Sequence, residues 1–93
     1  MTNPFNNALY LIFVRDDVWD KGTKLVGQDP AKVRRDEFGY IIHRDDYGDR
    51  KSPFGWEIDH ILPKSRGGSD ELSNLRPLHW RVNSGLGGLL SRS

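Results

Sequence analysis

Residues 56–68 read WEIDHILPKSRGG, and this stretch decides the fold. Its first seven residues, Trp56 to Leu62, have the composition and length of a short strand, which Pro63 stops before a basic, glycine-rich loop. At the centre of that strand an acid, Asp59, stands directly beside an imidazole, His60. Alternation sends Ile58, His60 and Leu62 to one face and Glu57, Asp59 and Ile61 to the other. Asp59 and His60 therefore do not form an acid–imidazole relay. They are disposed to flank a third object, with a cation held by Asp59 and a water held by His60. Phosphodiester hydrolysis uses such an arrangement, and a neutral imidazole titrating near pH 6.5 is a suitable base.

The downstream sequence supplies partners. Residues 63–74 form a long loop, 75–78 (LRPL) a second strand, and 79–84 (HWRVNS) the start of a helix that Gly85, Gly87 and Gly88 should keep short. A loop of this length in a small domain suggests function. Asn83 is the expected second metal ligand, because an amide oxygen and a carboxylate make a hard-oxygen set suited to Mg2+, with Mn2+ or another divalent cation as alternatives. His79, four residues earlier, shares a helical face with Asn83 and reads as a residue supporting the ligands or contacting phosphate. Lys64, Arg66, Arg76 and Arg81 cluster around the motif as candidate phosphate contacts.

Upstream, residues 1–7 read as a loose polar start. Residues 8–15 suit either a strand or a buried helical turn, and periodicity does not choose between them. DPAKVRRDE (29–37) predicts a short helix capped by Asp29 with Pro30 first. GYIIHR (39–44) has strand composition, with His43 an ordinary strand residue, and 45–55 is a turn-rich connection. Trp19, Trp56 and Trp80 read as core rather than as base-stacking platforms.

The 93 residues support one small domain, with 1–55 as an N-terminal extension and 56–88 as the motif. Apolar residues at 35% and charged residues at 29% describe a globular chain rather than a disordered one. There is no cysteine, which excludes a disulfide framework and a cysteine-ligated zinc and suits the cytosol. The longest apolar run, ALYLIFV (8–14), is too short to cross a membrane, and no secretory signal pattern is seen. Positive charge is concentrated late in the chain. Residues 61–93 hold five Lys/Arg against two Asp/Glu, whereas 1–60 hold nine against eleven, so a polyanionic partner would meet the motif side.

Taken together, Asp59-His60, Pro63, Gly67-Gly68, Asn74-Leu75 and a final Asn83 nine residues after Asn74 resemble the HNH endonuclease motif, also called the ββα-metal or His-Me finger. The resemblance covers residues 56–84, and the lead-in DDYGDRKSPFGWEIDH is similar to a bacterial subgroup. It implies an α+β fold with a ββα-metal core behind an N-terminal extension. It also implies divalent-metal-dependent cleavage of DNA, RNA being the other substrate, to a 5′-phosphate product. In those terms His60 is the general base, Asp59 and Asn83 the metal ligands, and Asn74 the central asparagine that braces the loop and helps orient the histidine.

The chain departs from the family pattern in two places. His79 and Val82 stand where many members carry the second pair of zinc-binding cysteines, so no structural zinc is expected. The scaffold should instead rely on packing of Trp56, Leu62, Leu75, Leu78, Trp80 and Val82. Leu86, within SGLGGLLSRS, stands where a lysine is common. That tail motivates the alternative function, an HNH-like nucleic-acid-binding domain with weak or lost cleavage.

Overall fold

The ambiguous apolar run at the start of the chain is a helix, α1, spanning Asn7–Trp19 in the computed structural model, which describes residues 7–86. Leu11, Val14 and Val18 recur at helical spacing and face inward, joined by Tyr10 and Trp19, while Leu9, Ile12 and Phe13 look outward. The helix ends in a tight turn in which Gly22 N donates to Trp19 O. Two antiparallel sheets follow. A three-stranded antiparallel sheet takes the order β1 (Thr23–Lys24), β2 (Val33–Arg35), β3 (Ile41–His43). An antiparallel hairpin joins β4 (Trp56–His60) to β5 (Leu75–His79).

The helix predicted over 29–37 is not formed. Asp29 does cap, accepting from Ala31 N through Oδ1 (2.9 Å) and from the Lys32 and Val33 amides through its carbonyl, but the turn stops there and β2 begins. Arg34 explains the outcome. Its Nε donates to Pro30 O (2.8 Å) and its Nη1 to Asp20 O and Gly22 O, with the guanidinium over the Trp19 ring. A strand aims Arg34 inward and leaves Arg35 outside, and these buried bonds outweigh a weak helical preference.

The core gathers α1 and both sheets: Val18, Trp19, Ile42, Trp56, Ile58 and Leu75. The Trp19 and Trp56 rings meet at 5.2 Å, and Trp19 Nε1 is satisfied by Pro30 O. Of the packing residues expected around the motif, Trp56, Leu75, Leu78 and Val82 are buried. Leu62 is about half exposed and Trp80 only partly buried, because β4 ends two residues earlier than expected, at His60, and because Trp80 uses its Nε1 on Ser52 O.

The glycine pair of the loop has a steric reason. Gly67 has φ 95°, and a Cβ on Gly68 would collide with the Leu62 carbonyl oxygen as the loop doubles back on the strand end. After β5 the chain makes a helical turn at Trp80 and Arg81 that widens into a π-turn over Val82–Leu86. The hairpin and this turn form the ββα arrangement of an α+β fold. Gly87 and Gly88 of the GLGG segment lie outside the described residues.

Candidate active site

The end of β4, the loop after it and the C-terminal turn enclose an open cavity of about 240 Å³ lined by Ile58, Asp59, His60, Pro63, Lys64 and Asn83. Three of the residues singled out for chemistry, Asp59, His60 and Asn83, thus share one cavity with Lys64.

His60 is held from the loop. Its Nε2 lies 2.7 Å from Asp70 Oδ1, and Lys64 Nζ donates to Asp70 Oδ2 at 2.8 Å. The Lys64 ammonium, and after it the His60 ring, hydrogen-bond to Asp70 and hold its carboxyl below its ordinary value. An ionised carboxylate only accepts, so in the neutral ring the proton sits on Nε2 and the lone pair on Nδ1. Asp70 was missed in the sequence. It reads there as one acid in a polar loop, and only folding of the loop against the strand reveals it as a partner of His60.

Asn74 is the brace that sets the loop. Its side chain continues the hairpin ladder where the strand has ended: Oδ1 accepts from Leu62 N (2.8 Å), and Nδ2 donates to Leu62 O (3.1 Å) and Ser69 O (2.7 Å). Its carbonyl also accepts from Ile61 N. Its bonds reach the loop and the strand end, and the side chain bonded to His60 is Asp70.

Asp59 faces its cross-strand neighbour Arg76. Arg76 Nε donates to Asp59 Oδ2 at 2.8 Å and Nη1 to Glu37 Oε2 at 2.8 Å, with the guanidinium over the Phe38 ring. The Asp59 side chain is only 3% exposed and that of Arg76 11%, so this is a buried ion pair. Arg76 is therefore not presented on the surface with the other basic residues. Arg66 and Arg81 are exposed, Arg81 lying over the Trp80 ring, and Lys64 is shared with Asp70.

Asn83 Nδ2 donates to Glu57 Oε1 at 2.7 Å. Glu57 in turn receives a two-pronged contact from Arg50, Nε to Oε2 (2.6 Å) and Nη2 to Oε1 (2.9 Å). Glu57 and Asp59 lie two residues apart on one strand face, so alternation brings both to the side on which Asn83 arrives.

His79 requires a correction. It is the last residue of β5 and not the first of a helix, so the helical spacing that paired it with Asn83 does not apply. It is 4% exposed, and both ring nitrogens serve the backbone: Nε2 donates to Pro53 O (2.7 Å) and Nδ1 accepts from Arg81 N (3.0 Å). Its own amide donates to Asp36 Oδ2. It joins strand, loop and turn, and does not line the cavity. His43, outside the motif, stacks on Phe54.

Among the described residues no group of three or more His, Cys, Asp or Glu side chains is arranged to hold a metal ion. A cation at this cavity would rest on one carboxylate and one amide, with water and substrate oxygens completing the shell. Such a set fits a hard divalent ion that keeps much of its hydration. Among the described residues no helix is long and apolar enough to cross a membrane.

The model of the HNH endonuclease family matches residues 47–87, which contain the whole cavity. No curated protein and no solved structure matches the chain.

Proposed function

With residues 47–87 belonging to the HNH endonuclease family, we propose that the chain hydrolyses DNA phosphodiester bonds with Mg2+ or a similar divalent ion. The observation that carries this reading is the single cavity bordered by Asp59, His60 and Asn83, with His60 backed by an ionised Asp70.

In the reaction, His60 Nδ1 takes a proton from water as its oxygen attacks phosphorus, and the bond from phosphorus to the 3′-oxygen breaks to leave a 5′-phosphate. Asp70 fixes the ring and stabilises the imidazolium that forms. Asn74 keeps the loop folded so that Asp70 stays in place. Lys64, Arg66 and Arg81 offset backbone charge without reading sequence. Asp59 and Asn83 would hold the metal, which when bound supplies a positive charge for the phosphate and the departing oxygen.

A plasmid-nicking assay with Mg2+ and Mn2+ tests the reading, with single-stranded RNA as the comparison substrate. His60→Ala should abolish cleavage and retain metal binding, whereas Asp59→Ala should lose both. Equal metal affinity in the two variants would refute the assigned roles.

The Arg76 contact to Asp59 Oδ2 supports a second reading, a nucleic-acid-binding domain in which Arg76 takes the place of a metal and cleavage is weak. DNA binding at low salt, with no His60-dependent nicking under any metal, would favour it.

A further inference from the structure

We propose that Glu57, clamped by Arg50, is a positioning residue that selects which arm of the Asn83 amide faces the cavity. The inference rests on the nuclease reading and assigns a role to residues that the motif leaves without one.

An asparagine amide has two arms of nearly equal shape. One is an acceptor oxygen and the other a donor NH2, and only the oxygen can ligate a cation. A ligand asparagine therefore needs a second contact that distinguishes the arms. Glu57 provides it. Its Oε1 lies 2.7 Å from Asn83 Nδ2, and a carboxylate oxygen accepts without donating. The reversed amide would set oxygen against oxygen. The bonded orientation turns Oδ1 away from Glu57, on a residue that borders the cavity beside Asp59.

Glu57 must itself be fixed for this to work, and the Arg50 fork does so with two bonds. The Glu57 hydrogen bond and charge raise the Arg50 pKa. Arg50 comes from the turn-rich segment, Glu57 from β4 and Asn83 from the C-terminal turn. The three contacts therefore tie three separate parts of the chain to one ligand orientation. Outer partners of this kind orient ligands, and changing one typically costs about 10–100-fold in metal affinity.

The test is Mn2+ binding to the full chain, measured by titration calorimetry or electron paramagnetic resonance, in a cycle of Glu57→Gln and Asn83→Asp. A glutamine has one oxygen for the two Arg50 prongs and the Asn83 NH2, so its own NH2 must face one of these donors, and either the clamp or the selection of the amide is lost. A carboxylate at position 83 has oxygen on both arms and needs no selection; it sets oxygen against Glu57 Oε1, a repulsion that Glu57→Gln relieves. The Mn2+ dissociation constant should rise about tenfold on Glu57→Gln when Asn83 is present, but stay unchanged or fall in the Asn83→Asp background. A second measurement, in metal-free protein, follows the Asn83 side-chain NH2 by NMR. Its protons should exchange slowly in the wild type and fast in Glu57→Gln.

If Glu57→Gln fails to fold, Arg50→Gln loosens the clamp from the exposed side and should weaken Mn2+ in the same direction, again only when Asn83 is present. Equal losses in both backgrounds would mean that Glu57 acts through charge alone, and would overturn the inference while leaving the nuclease reading intact. A wild-type chain that binds no Mn2+ would overturn both.

Discussion

Replacing Arg76 with methionine should destabilise the protein and, on the proposed nuclease reading, tighten divalent-cation binding at Asp59. The variant keeps an unbranched side chain against Phe38 but removes the guanidinium from a carboxylate that is only 3% exposed. Removing one partner of a buried ion pair costs about 3–5 kcal/mol, because the remaining charge stays desolvated. The lost contact to Glu37 adds little, since that carboxylate is 55% exposed and its pair is screened, worth about 0.2–1 kcal/mol at most. Taking the lower bound of about 3 kcal/mol, the melting temperature should fall by about 12–24 °C for a domain of this size. Tryptophan fluorescence is a suitable assay, because Trp19 and Trp56 lie in the core beside the hairpin.

Mn2+ should then reverse part of the loss. A cation next to Asp59 replaces the missing positive charge, and at a hundred times its dissociation constant a ligand stabilises the folded state by about 2.7 kcal/mol. The Mn2+-induced rise in melting temperature should be larger in Arg76→Met than in the wild type, and Asp59→Asn combined with Arg76→Met should regain most of the stability without metal. A loss below about 1 kcal/mol, or a metal effect no larger than in the wild type, would refute the view that Arg76 and the cation compete for Asp59.

With His60 as the base proposed above, Asp70→Asn should lower kcat on the order of 10², with little change in KM, because it removes the acceptor that orients His60 and would stabilise its protonated form. The same residue sets an acid limb. Its folded pKa is lowered, so its contribution to stability is present above the unfolded value near 3.9 and is lost as pH falls through the folded value, and urea melts of Asp70→Asn should show a flatter decline there. Asn74→Ala removes three loop bonds and should cost about 2–3 kcal/mol, with trypsin cutting faster after Lys64 and Arg66. His79→Leu should cost about 2–4 kcal/mol by leaving the Pro53 carbonyl and Arg81 amide without their partner, while Mn2+ affinity stays unchanged, the outcome that separates a joint from a ligand neighbour.

The hairpin was legible in the sequence because its signals are local. Alternation, Pro63 and the paired glycines are properties of a few adjacent residues. The choice between helix and strand at residues 8–15 was not legible, since a continuous apolar run has no period until a partner defines its inner face. Arg76 resembles its basic neighbours until the register that sets it opposite Asp59 is known. His79 was misread because the helix was started one residue early, which replaced a strand's alternation by a helix's spacing. Asp70 and Glu57 look like ordinary surface acids, and their contacts depend on a loop and a turn whose courses are tertiary matters.

The residues upstream of the family match bear directly on the cavity within it. Asp36, 2% exposed, accepts from the amides of Phe38 and Tyr40 through one oxygen and from His79 N through the other, so the β2–β3 turn is fastened to the end of β5. Glu37, next in sequence, holds Arg76 and through it Asp59. Lys21, just past α1, donates to the carbonyls of Leu72 and Leu75 at the point where the loop re-enters the hairpin. In a chain without cysteine, these contacts and the Trp19–Trp56 packing pin the hairpin from outside. The geometry at Asp59 is thus set partly by residues far from the motif. A change at Glu37 or Asp36 should reach the cavity through Arg76 and β5, although neither residue lines it.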